Sequence, residues 1–82
     1  MTLYLFDYYQ GMWKTLISPT PDLAFKRVEQ VLVQRIEMEP TLDNVAWLAN
    51  SMTTDRKGAL TTPIDAPDGV LVTVLPDKEL HA

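Results

Sequence analysis

The sequence predicts an α+β fold in two layers: an antiparallel sheet of about four strands in ββααββ order, with two helices on one face. Three observations lead there. Residues 3–9 and 70–75 are rich in aromatic and β-branched side chains, the composition of strands. The middle of the chain carries apolar residues at helical spacing behind two cap signals. Glycine and proline clusters punctuate the chain between these segments. With 82 residues the chain is read as one domain spanning 1–82.

Residues 3–9 form the first expected strand, with Tyr4, Phe6 and Tyr8 alternating against Leu3, Leu5 and Asp7. Gln10-Gly11 supplies a turn, because glycine takes positive φ without steric cost. Residues 12–17 return as a second strand, with Trp13, Thr15 and Ile17 on one face and Met12, Lys14 and Leu16 on the other. Thr20, Pro21 and Asp22 then read as the N-cap and first turn of a helix running to about Glu37. Its apolar stripe is Ala24, Phe25, Val28, Val31, Leu32 and Ile36.

Glu39-Pro40 ends that helix, since a residue before proline avoids the α region. Thr41 caps a second helix over 42–51 with the stripe Leu42, Val45, Ala46, Ala49 and Met52. Trp47 falls off that stripe. Residues 59–64 form the third expected strand, and the run from Asp65 to Gly69 is a turn. Residues 70–75 form the fourth, apolar on both faces and therefore expected at the centre of the sheet. Residues 77–82 read as a mobile tail.

The inventory of reactive groups argues against an enzyme. There is no cysteine, so thiolate metal sites, disulfides and cysteine nucleophiles are excluded. The single histidine, His81, lies in the expected tail, and Ser18 and Ser51 stand in no nucleophile context. The three glycines are too dispersed for a phosphate loop. Cofactor and metal sites are accordingly expected to be none. No apolar run is long enough to span a bilayer, and Asp7 interrupts the first apolar stretch of a start that lacks a basic n-region. These features, with the lack of cysteine, are compatible with a cytoplasmic chain.

The net charge is −4, and it is unevenly placed. Residues 36–55 hold Glu37, Glu39, Asp43 and Asp55 with no basic residue, while residues 1–35 are nearly balanced. Such a segment is either a solvated face or a surface steered toward a basic partner. Trp47 lies within it, as an intramolecular contact or as a partner anchor.

The start Tyr4-Leu5-Phe6-Asp7, the capped segment Thr20-Pro21-Asp22-Leu23-Ala24 and the valine-rich last strand give the chain a character similar to small acidic phage and mobile-element inhibitors. In architecture and composition it resembles anti-CRISPR proteins, over most of its length and without a shared motif. The resemblance implies a non-enzymatic inhibitor that binds a CRISPR effector complex in a bacterial host. Its acidic side chains would meet the basic channel that grips nucleic acid. The candidate partner-binding residues are then Glu37, Glu39, Asp43, Trp47 and Asp55, and the partner is a protein with a basic surface. Two other readings stay open. One is a homodimer in which the aromatic first hairpin forms the dimer core. The other is a single-stranded nucleic-acid binder stacking bases on the aromatic sheet face, which the acidic balance disfavours.

Overall fold

The computed structural model describes residues 1–21, 28–53 and 66–75. Strand β1 (Thr2–Tyr9) and strand β2 (Trp13–Ser18) form the expected antiparallel hairpin, with Tyr9 opposite Trp13 and Tyr4 opposite Ser18. The connecting loop is closed by the Gln10 amide donating to the Met12 carbonyl at 3.1 Å. Gly11 has φ +74°, a conformation a Cβ would disfavour.

Residues 30–37 are not helical. They form strand β3 (Gln30–Glu37), antiparallel to β1 over its whole length, from Thr2 opposite Glu37 to Tyr9 opposite Gln30. The helix expected to reach Glu37 is therefore overturned across this segment. Helical phase leaves Val33 off the apolar stripe, whereas the strand buries it completely. Val31, Val33 and Ile36 are β-branched, and each loses less side-chain freedom in a strand than in a helix. Backbone bonds continue the pairing past both ends. The Met1 nitrogen donates to the Met38 carbonyl at 2.8 Å, and the Glu29 amide donates to the Tyr9 carbonyl at 2.9 Å.

Helix α1 (Leu42–Thr53) follows, at the place expected for the second helix. Among the described residues it is the one helix, where the sequence predicts two. Strand β4 (Leu71–Leu75) pairs antiparallel with β3, from Glu37 opposite Leu71 to Val33 opposite Leu75. A turn precedes it, with the Val70 amide donating to the Pro67 carbonyl and Gly69 at φ +85°. The sheet order is β2-β1-β3-β4. Its centre is β1 and β3, and β4 lies at one end of the order instead of the centre. The expected strand over 59–64, the tail over 77–82 and residues 22–27 of the expected first helix lie outside the described residues.

Register and side-chain alternation sort the sheet into two faces. One carries Leu3, Leu5, Ile17, Ile36 and Val72, and α1 packs on it. Leu5 and Ile36 form the core there with Met38 and Leu48; Leu3, Ile17, Trp47, Val70 and Val72 pack around them. The other face has a row across all four strands, Leu16, Phe6, Val33 and Leu75, of which Phe6 and Val33 are fully buried.

The phase of α1 differs from the sequence expectation. Its inward arc is Asn44, Trp47, Leu48 and Ser51, while Leu42, Val45, Ala46 and Ala49 face outward. Trp47 and Leu48 are adjacent and are the largest apolar pair on the helix. Turning them inward buries an indole and a leucine against the core, and leaves Leu42, Val45, Ala46 and Ala49 outside. The two polar residues on the inward arc are satisfied locally. Asn44 Nδ2 donates to the Glu39 carbonyl at 2.9 Å, and Ser51 Oγ donates to the Trp47 carbonyl at 3.0 Å.

This phase sets an expected pair of results. Leu48→Ala should lower unfolding free energy by about 2–5 kcal/mol, as for other buried leucines. Leu42→Ala should change it by less than about 0.5 kcal/mol, as for exposed positions. Urea titration of both variants checks this; equal losses would contradict the phase.

Candidate protein-binding surface

The corner between β3 and α1 is where the acidic segment folds. Glu37 ends β3 and is half-buried. Thr2 Oγ1 lies 2.8 Å from both of its carboxylate oxygens, so one hydroxyl proton is shared between them across the β1–β3 pair. Met38, next in the chain, is buried in the core. Glu39 and Pro40 are exposed, and the Thr41 amide donates to the Glu39 carbonyl at 2.8 Å around the proline.

Thr41 caps α1 as its position predicts. Its Oγ1 accepts from the Asn44 amide at 3.1 Å, and its carbonyl accepts the first helical bond from Val45 at 2.9 Å. Together with the Asn44 side chain on Glu39, these bonds fix how the helix leaves the sheet. Asp43 stands exposed in the first turn, where a carboxylate complements the positive end of the helix dipole. No basic residue occupies the last turn.

The five sequence candidates are thus divided. Glu39 and Asp43 are exposed at the start of α1. Glu37 is engaged by Thr2 at the end of the sheet. Trp47 is half-buried and packs against the core. Asp55 lies outside the described residues. The sequence reading missed the outward stripe of α1: Leu42 is 90% exposed and Val45 49%, with Ala46 and Ala49 exposed between the same turns. The i, i+3, i+4, i+7 spacing of these residues is legible in the sequence, where it reads as a core face.

The aromatic residues are spread over two faces. Tyr4, Phe6 and Tyr8 alternate on one face, beside Arg35 and Lys14 in the register. Phe6, the middle ring, is buried and so not open to a stacking base. Tyr9 and Trp13 pack on each other on the opposite face, with ring centroids 5.3 Å apart at 59°. On that face Thr15 Oγ1 also donates to the buried Asp7 carboxylate at 2.9 Å.

Among the described residues no group of three or more histidine, cysteine or acidic side chains is placed to hold a metal ion. No described helix is long and apolar enough to cross a membrane. No protein-family model, curated protein or solved structure matches the chain.

The capping bonds give a direct expectation. Thr41→Ala should cost about 1 kcal/mol, the usual loss for an N-cap hydroxyl. Thr41→Ser should restore most of it. Thermal unfolding followed by circular dichroism checks both, and an unchanged midpoint in Thr41→Ala would contradict the cap.

Proposed function

We propose that the protein is a non-enzymatic binding protein that inhibits by occupying the basic surface of a protein partner. The observation that carries this reading is the exposure of Glu39 and Asp43 together at the start of α1. They stand within a stretch of sequence, residues 36–55, that itself holds no basic residue. Exposed surface charge of one sign adds little to folding but raises encounter rates with the opposite sign. The resemblance to anti-CRISPR proteins supplies the class of partner: an effector complex whose basic channel holds nucleic acid. The acidic corner would compete with phosphates for that channel. With a net charge of −4, a local acidic contact fits better than mimicry of an extended nucleic-acid strand.

The test is DNA binding by purified CRISPR effector complexes of several types, with and without the protein. The parent protein is expected to lower DNA binding by at least one complex. A Glu39→Lys/Asp43→Lys variant with a native circular dichroism spectrum should inhibit roughly tenfold less, the size expected for losing contacts that matter at an interface. A folded double variant that inhibits as well as the parent would contradict the acidic-corner mechanism, and inhibition of no complex would contradict the partner class.

A further inference from the structure

Asp68 and Gly69 form the tip of the turn that leads into β4. Both are exposed, and the Val70 amide closes the turn by donating to the Pro67 carbonyl at 3.1 Å. Asp68 is the one aspartate or asparagine in the chain that glycine follows. That neighbour decides a covalent reaction. The main-chain nitrogen of the next residue can attack an aspartate carboxyl, and a side chain on that residue shields the nitrogen. Glycine has none. Gly69 holds φ +85°, so the turn itself keeps glycine at this place. Nothing lies within 4 Å of the position a Cβ would take there, so the glycine side of the turn is open.

We propose that Asp68-Gly69 is a site of spontaneous isoaspartate formation, a backbone modification that loosens β4 from β3. The Gly69 amide nitrogen bonds to the Asp68 side-chain carboxyl carbon. The carboxyl hydroxyl and the amide proton leave together as water, giving a succinimide ring. Water then opens the ring. Cleavage between the nitrogen and the side-chain carbonyl restores aspartate. Cleavage between the nitrogen and the main-chain carbonyl leaves the chain running through Asp68 Cβ and Cγ. The water lost in closing the ring is regained in opening it, and nothing is oxidised or reduced.

The isoaspartyl form carries an extra backbone carbon where the fold has least room for one. The Pro67–Val70 hydrogen bond spans the modified link. Val70 packs against the core, and Leu71 begins β4 opposite Glu37. Lengthening the link draws Val70 off that contact or Leu71 out of register. Among the described residues β4 is held in the sheet through β3 alone, so the damage falls on that pairing.

The full chain is aged at physiological temperature and neutral pH and sampled over weeks. Isoaspartate is read by methyl transfer from S-adenosylmethionine with a purified isoaspartyl methyltransferase, and placed by electron-transfer fragmentation of the peptides. Label is expected at Asp68 ahead of every other aspartate. Asp68→Glu should lose it, because the longer side chain must close a larger ring, which forms far more slowly. The position is exposed, so this variant should keep the parent stability. Asp68→Asn should gain label faster, since ammonia then leaves in place of water. In the aged parent, molecules carrying isoaspartate should unfold at lower urea than those without it, and aged Asp68→Glu should show no such fraction. Absence of label at Asp68, equal label in Asp68→Glu, or no faster label in Asp68→Asn would overturn the site. An isoaspartate-bearing fraction with the parent urea midpoint would overturn its effect on β4.

Discussion

The pairing of β1 with β3 is the constraint on which the remaining structure depends. Eight residue pairs in one register bring the start of the chain against residues 30–37. β2 then joins through a short loop, β4 attaches to the other side of β3, and α1 hangs from the end of β3. The register also sorts the side chains. A slip of one residue would move Leu3, Leu5 and Ile36 to opposite faces and dissolve the core under α1. Because the pair is long-range in sequence, its loop closure must be offset by burial, and Leu5, Phe6, Val33 and Ile36 supply it from both faces.

The acidic corner follows from that pairing. Glu37 is held at the last rung by Thr2, and Met38 is drawn into the core. Pro40 then prevents the strand from continuing and Thr41 starts the helix. Two carboxylates remain outside, Glu39 in the link and Asp43 in the first turn. Leu48 and Trp47 fix the rotation of the helix, so its second apolar stripe faces solvent directly beside those acids. Charge and apolar surface therefore adjoin as a consequence of one strand end and one helix phase.

Local signals in the sequence were sufficient for parts of this fold. The first hairpin is legible because alternation on either side of Gln10-Gly11 has no other good solution. The cap at Thr41 is legible because its partner lies three residues away. Residues 30–37 were not legible. Val31, Leu32 and Ile36 share one helical stripe, whereas the strand divides them between its two faces; the fully buried Val33, off that stripe, pairs instead with Phe6 far away in sequence. The phase of α1 failed for a related reason. The helix has apolar residues on two sides, and the choice between them depends on how well Trp47 and Leu48 fill the sheet. The acidic segment was visible as a run of charge, but its division into exposed Glu39 and Asp43, engaged Glu37 and inward Trp47 needed the tertiary structure.

The conformation of residues 30–37 tests this account most directly, because the sheet order, the acidic corner and the helix phase all rest on it. NMR of the labelled protein reads it through Cα secondary shifts and cross-strand contacts. The account predicts extended-chain shifts throughout this segment and contacts linking Phe6 to Val33 and Leu3 to Ile36. Helical shifts over the same residues, without those contacts, would contradict it.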